Sequence, residues 1–246
     1  MSAEWWSSLF VDMSPASFFN FSFLPRYGKF FLQGVEYTLI LAVVSVLLAV
    51  IPALLLALMR LSKSRLIKGV SGAYIAVFRS TPLLVQLSII YYGLFGLIDI
   101  PRITILNFID ISRFIPCVVA LALNSSAYVA EIFRAGILAV DAGQMEAARS
   151  LGLSKWQGMK MVVLPQAIKN VLPALANEIV TMVKESSICS MLGIADLMFV
   201  AKTTCTSTYI SLAPYTLAAV IYFCINFPAS KAIEAVERRM RRGDIR

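Results

Sequence analysis

The apolar residues of this chain come in runs too long for a soluble domain to bury. A membrane-spanning helix needs about 20 mostly apolar residues. Runs of that size lie at Tyr37 to Leu58, Gly69 to Leu97, Phe114 to Leu138, Gln166 to Met191 and Leu212 to Ala232. The second is interrupted by Arg79-Ser80-Thr81-Pro82, and the fourth contains Pro173. Only 15% of the residues are charged, against roughly 25% in a soluble domain. With 59% hydrophobic residues and a mean hydropathy of +0.79, the pattern predicts an all-α membrane protein with about five transmembrane helices.

Lys and Arg between the runs predict the orientation, because short cytoplasmic loops are enriched in them. Three segments are rich in them: Arg60, Lys63, Arg65 and Lys68; Arg134, Arg149, Lys155, Lys160 and Lys169; and Lys231, Arg238, Arg239, Arg241, Arg242 and Arg246. With five spans these fall on one side, which predicts an outside N-terminus and a cytoplasmic C-terminus. The expected layout is an interfacial segment over 1–36, a transmembrane domain over 37–232 and a basic tail over 233–246. In the first segment Trp5, Trp6, Phe18, Phe19, Phe21 and Phe23 read as interfacial aromatics, and no basic cluster precedes an apolar core as in a cleavable signal.

Several chemistries are excluded. The chain has no histidine, so neither a histidine-metal site nor a Ser/His/Asp triad can form. Cys117, Cys189, Cys205 and Cys224 lack metal-ligand spacing, so no metal site and no catalytic residue are expected. Cys117 and Cys224 lie in apolar runs, whereas Cys189 and Cys205 are a conceivable pair. No Gly-x-x-x-x-Gly-Lys-Ser/Thr phosphate cradle occurs, so no nucleotide is bound by this chain. The net charge of +8 is dispersed between apolar runs and argues for topology, not for nucleic acid.

The stretch 141–165 is a polar, helix-forming loop between two spans. Met145, Ala148, Gly152, Trp156, Met159 and Val163 recur at steps of three or four, giving an apolar stripe on a helix. Gly152 suits a left-handed C-cap, Ser154 an N-cap, and Pro165 the first turn of the next helix. The spacing predicts a helix-Gly-helix elbow. By periodicity alone, an amphipathic connector on the membrane surface is equally consistent.

Glu146-Ala147-Ala148, Gly152 and Leu164-Pro165, with Gly143-Gln144 upstream, resemble the EAA loop of ABC-importer permeases. Phe78-Arg79-Ser80-Thr81-Pro82-Leu83-Leu84-Val85-Gln86 resembles the FRGTPLLVQ segment of the polar amino-acid branch (histidine, glutamine, glutamate, arginine, opines). Ser126 to Ile137, Leu164 to Ala167 and Lys184-Glu185-Ser186-Ser187 also match that branch. The chain departs from it at Ser80 and Ser126, where glycine is common. The resemblance implies a type I importer permease in the bacterial inner membrane. It implies ABC ATPase subunits that bind ATP, a second permease subunit and an extracytoplasmic amino-acid-binding protein as partners, with lipid around the spans. It also implies that Glu146, Ala147, Ala148, Gly152 and Trp156 couple the chain to the ATPase.

Charges inside the spans mark a candidate path. A charge at mid-bilayer costs on the order of 2.5–3.5 kcal/mol, and Pro82 breaks the helix just after Arg79. A broken helix beside a cation can hold a carboxylate, which makes Arg79 a candidate for the substrate α-carboxylate, with Ser80, Thr81 and Gln86 beside it. The other reading of Arg79 is a snorkelling side chain or a structural pair with Glu131. Asn124, Tyr128 and Glu131 share one helical face and line a cavity or bond neighbouring helices. Lys184 and Glu185 mark an outer end or gate, where an interfacial ion pair is the other reading. A proton- or sodium-coupled carrier is the alternative function compatible with Arg79, Glu131 and Glu178. The elbow and the lack of an internal repeat speak against it.

Overall fold

The computed structural model describes residues 19–242, so Trp5, Trp6 and Phe18 lie outside the described residues. The first helix, α1 (Leu24–Leu61), has 38 residues with a proline in its first turn. At 1.5 Å per residue it is about 57 Å long, nearly twice a bilayer's hydrocarbon core. The predicted boundary at Tyr37 therefore has no counterpart in the backbone. Residues 24–36 continue the spanning helix beyond its most apolar part. They stay packed because Phe31 is buried in a second cluster with Phe23, Leu197 and Val200, and because Gly34 is buried against the Leu197 backbone.

Helix α2 (Arg65–Ser80) is followed by α3 (Leu83–Ser88), which runs on through a π turn (Ile89–Leu94) and a 3-10 turn (Phe95–Leu97). The stretch predicted as one span, Gly69 to Leu97, is thus a broken pair whose axes differ by 106°. The cause is Pro82, which has no N–H, together with Thr81, which is extended at φ −112° and ψ 145°. A short hairpin follows, with two-residue strands β1 (Thr104–Ile105) and β2 (Ile109–Asp110) paired antiparallel. Leu106 and Asn107 turn it with positive φ. Asp110 then caps α4 (Ile111–Leu138) by accepting from the Ser112 N–H.

The elbow comprises α5 (Ala142–Ser150) and α6 (Lys155–Gly158), the latter passing through a π turn (Met159–Val163) into α7 (Leu164–Glu185). After a 3-10 segment (Ser186–Leu192) comes α8 (Leu197–Thr208), bent by 46° from the preceding axis. The sequence reading did not anticipate α8, although Asp196 is its N-cap, accepting from Phe199 N–H at 2.8 Å. The last helix, α9 (Ala213–Arg242), absorbs the start of the predicted tail. Among the described residues α1, α4 and α9 are each long and apolar enough to cross a membrane, and counting each bent pair as one span gives up to five.

The helices pack around α4, which is the most enclosed of the long ones. Leu41, Ala42 and Val46 of α1 meet Cys117, Leu121, Met182 and Val183 in the main cluster. Farther along, Ala53 and Ala57 of α1 meet Ala127 and Ala130 of α4. Small residues let the backbones approach, which is how helices associate where lipid removes the hydrophobic drive. Pro52, Pro116, Pro173 and Pro228 sit inside α1, α4, α7 and α9, as membrane helices with protein neighbours tolerate. At Gly136 a side chain would run into Val171 Cγ2 and stand 3.3 Å from the Ala167 carbonyl, so glycine sets the α4–α7 distance. Gly136→Val is expected to cost about 1–3 kcal/mol by overpacking. An unchanged melting midpoint in detergent would contradict this.

Candidate functional site

The break at Ser80–Pro82 leaves carbonyls without helical partners, and α3 and α4 supply them. Gln86 is buried, and its amide nitrogen reaches Phe78 O at 2.8 Å, Thr81 O at 2.9 Å and Thr81 Oγ1 at 2.7 Å. Asn124 of α4 donates to the Gln86 carbonyl oxygen at 2.8 Å and lies 3.4 Å from Phe78 O. Thr81 Oγ1 in turn donates to Val77 O at 2.8 Å. Of the sequence-predicted polar set, Thr81, Gln86 and Asn124 are therefore turned into the break.

Arg79 lies elsewhere. Its guanidinium sits over the Tyr128 ring, 5.3 Å from the centroid, a cation–π arrangement. It lines a cleft of about 430 Å³ with Arg60, Gly72, Ile75, Ala76, Ser80 and Glu131. Glu131 pairs with Arg60 at 3.5 Å and with Arg134 at 3.3 Å, not with Arg79. The Arg79–Glu131 pair, one of the other readings of Arg79, does not form, and Arg60 from the end of α1 takes that place beside Glu131. Arg60 had been read only as a topology signal, since no local spacing links it to Glu131. Gly72 makes room for it, as a Cβ there would stand 3.0 Å from Arg60 Nη1. Ser125 donates to Glu178 at 2.8 Å, joining α4 to α7. Tyr74 ties α2 to α4 through Ser126 Oγ and Leu123 O, both at 2.9 Å.

The elbow is closed by backbone caps. Gly152 has φ +82°. Its N–H donates to Arg149 O at 3.0 Å, and Leu153 N–H donates to Ala148 O at 3.1 Å. This is the Schellman arrangement that ends α5. Ser154 and Gln157 form a capping box that starts α6. The two arms fold onto each other at Ala148 and Gly158, where an added Cβ would lie 2.8 Å from Met145 Sδ. The single apolar stripe expected from the sequence is thus divided. Ala148 and Val163 are buried, while Trp156 is 73% exposed beside Leu151 at 84%. Gln166 of α7 donates to Gln144 at 3.2 Å, binding the elbow to the helix it precedes.

Lys184 is exposed and Glu185 half-buried at the end of α7, just before the 3-10 segment. The cysteines are free. Cys189 lies with Cys117 in the main core, while the Cys205 thiol donates to Ser211 O, so the structure does not bring Cys189 to Cys205.

A broken helix repaired by side-chain amides and a capped elbow running into a long helix make up the candidate site. Residues 45–242 match the model of the binding-protein-dependent transport system inner membrane component, and the chain belongs to that family of inner-membrane permeases. It is 41% identical over 215 residues to the arginine transport system permease protein ArtQ of Bacillus subtilis, covering 87% of this chain and 94% of that one. It is 39% identical over 211 residues to a putative glutamine transport system permease protein GlnP of Rickettsia typhi, covering 86% and 93%. The octopine transport system permease protein OccM of Rhizobium radiobacter is 38% identical over 206 residues, with 84% of each chain covered.

Among solved structures, a chain of an amino acid ABC transporter crystallised with histidines superposes with a TM-score of 0.79 at 46% identity, covering 88% of this chain and 96% of that one. The MetNI methionine ABC transporter in an inward-facing conformation gives 0.65 at 19% identity, covering 85% and 96%, a likeness of fold alone. The fold is that of type I ABC-importer permeases.

The hydrogen bonds at the break make Gln86 a structural requirement. Gln86→Leu leaves buried carbonyls unpaired and is expected to destabilise the protein by about 1–3 kcal/mol. Detergent melting checks this, and a loss below the assay error would remove Gln86 from that role.

Proposed function

We propose that this chain is the membrane-spanning subunit of an ATP-driven importer for polar or charged amino acids. An extracytoplasmic binding protein delivers the solute, a second permease subunit completes the pathway, and separate ATPase subunits bind and hydrolyse ATP. The N-terminus lies outside and the C-terminus in the cytoplasm, in line with the three basic segments. The observation that carries the reading is the elbow at 141–165. It is a pre-capped polar knob, rigidly joined to α7, that presents Trp156 and Leu151 outward. Glu146, Ala147, Ala148, Gly152 and Trp156 form its contact with the ATPase. The names of the relatives support amino acids as the solute class.

The coupling runs through geometry. When the ATPases close they displace the elbow, and the Gln166–Gln144 bond together with the continuous α6–α7 backbone passes that displacement into the spanning helices. Gly152 has nothing within 4 Å of an added Cβ, but its φ of +82° strains any side chain there, so a substitution distorts the cap of α5. Gly152→Asp is expected to leave membrane insertion intact and to abolish both uptake and co-purification of an ATPase. Mass spectrometry of the gently solubilised, tagged chain checks this, and a retained ATPase with normal uptake overturns the coupling role.

The cleft at the broken helix is the substrate station of this reading. Glu131 is engaged by two arginines, which leaves Arg79 as the cation for the α-carboxylate, with Ser80 beside it. Tyr128 orients the guanidinium, while Thr81, Gln86 and Asn124 hold the break open. Glu131 fixes Arg60 and Arg134 around the cleft. Arg79→Ala removes one charge-assisted hydrogen bond, worth about 1.5–3 kcal/mol. It is expected to weaken substrate affinity by roughly 10- to 100-fold at normal membrane abundance. Unchanged affinity in uptake assays would exclude Arg79 from the site.

A further inference from the structure

The hairpin of β1 and β2 has an apolar face that the importer reading does not use. Side chains alternate between the two faces of a strand. Ile103 and Ile105 therefore share a face with Ile109, which pairs with Ile105, while Thr104 and Asp110 pair on the other face. The two strands are covered unequally. Ile109 is 5% exposed and belongs to the main core, and the adjacent Phe108 ring stands 6.1 Å from that of Tyr37. Ile103 and Ile105 are half exposed. The apolar face thus runs out of the core onto β1, where no described residue closes over it.

The turn extends this ledge. Leu106 and Asn107 have φ of 54° and 63°. Asparagine tolerates the left-handed region, whereas leucine is strained there. Leu106 is also 62% exposed, so packing within the described residues does little to offset that strain. The turns leading into the hairpin expose Tyr92, Leu94 and Leu97 as well, and tyrosine is a residue type enriched where membrane meets water. Charge is balanced over 98–113, where Asp99 and Asp110 match Arg102 and Arg113, and Arg113 stands 3.7 Å from Asp110.

The hairpin precedes α4 directly, and the elbow follows the other end of that helix. With 28 residues at 1.5 Å each, α4 is about 42 Å long. A bilayer with its headgroups measures about 40–45 Å. With the elbow at one surface, the hairpin stands in the headgroup layer of the other.

We propose that Ile103, Ile105 and Leu106 form a membrane-docking ledge that dips into the bilayer interface, with phospholipid as its occupant. The ledge continues the exposed apolar surface of the turns before it, and it carries no net charge that would steer a soluble partner. The backbone limits its depth. β1 is an edge strand, and its unpaired N–H and C=O groups need water, so the strand stays among the headgroups while its side chains reach the acyl boundary. Apolar burial holds the ledge, so anionic lipid is not required. The inference rests on the membrane location of the family and is independent of the solute and of the ATPase.

The test places an environment-sensitive dye on the hairpin of the full chain, reconstituted in phosphatidylcholine nanodiscs with whatever partners it retains. Leu106→Cys is labelled in a Cys205→Ser, Cys224→Ser background, which leaves only the buried cysteines, and Thr104→Cys reports the polar face. A nitroxide near the glycerol end of the acyl chain is expected to quench the dye at 106 about twofold more than the dye at 104, and more than a nitroxide near the chain's methyl end does. Iodide in the water is expected to show the reverse preference, and phosphatidylglycerol is expected to change neither result. If Leu106→Cys does not melt like wild type, Ile103→Cys supplies the same comparison. Equal iodide quenching at both positions without a nitroxide effect overturns the ledge. Protection at 106 that appears only with an added binding protein, or a crosslink at 106 between two copies, also overturns it and assigns the surface to that partner. None of these results bears on the importer reading, which stands on the elbow.

Discussion

The structure depends on the repair of a broken membrane helix. Lipid offers no hydrogen bonds, so non-helical backbone at membrane depth survives only where protein or water satisfies it. Here one buried amide, Gln86, reaches three acceptors on the far side of Pro82, and Asn124 fixes that amide from α4. The same bonds aim α3 away from α2 at 106° and hold Arg79 on the opposite side of the break.

A second constraint acts at the elbow, where the structure is local and strong. A Schellman cap and a capping box each satisfy orphan backbone groups within a few residues. The elbow therefore keeps its shape without relying on burial, and little of it is buried. Ala148 and Gly158 close the two arms, which leaves the bulky apolar side chains Leu151 and Trp156 unsatisfied by this chain. An exposed Trp on a rigid turn presents a large apolar surface at small entropic cost. Such a surface suits a recurrent partner better than solvent.

The parts legible in the sequence were those written in local patterns. Apolar runs located α1, α4 and α9, and the Gly152–Ser154 spacing gave the elbow with its caps. The residues after Pro82 were legible as a break but not as a right-angled turn, because the angle depends on Gln86 meeting Asn124 across two helices. The α1 extension over 24–36 was missed since Arg26, Lys29 and Glu36 interrupt its hydropathy, whereas its burial comes from Phe31 and Gly34 meeting α8. The ion pair of Arg60 was missed for the same reason. Its role follows from Glu131, which lies far away in sequence and is placed by the packing of small residues between α1 and α4. Interactions inside one helix or turn can be counted off the chain, and those between helices appear only once the crossing distances are known.

The distribution of charge follows from this packing. Glu131 receives Arg60 and Arg134, a three-membered group with a net positive charge, and Arg79 adds another beside it on Tyr128. Three arginines gather around one carboxylate, so the cleft between α1, α2 and α4 carries a net positive charge and is open to water.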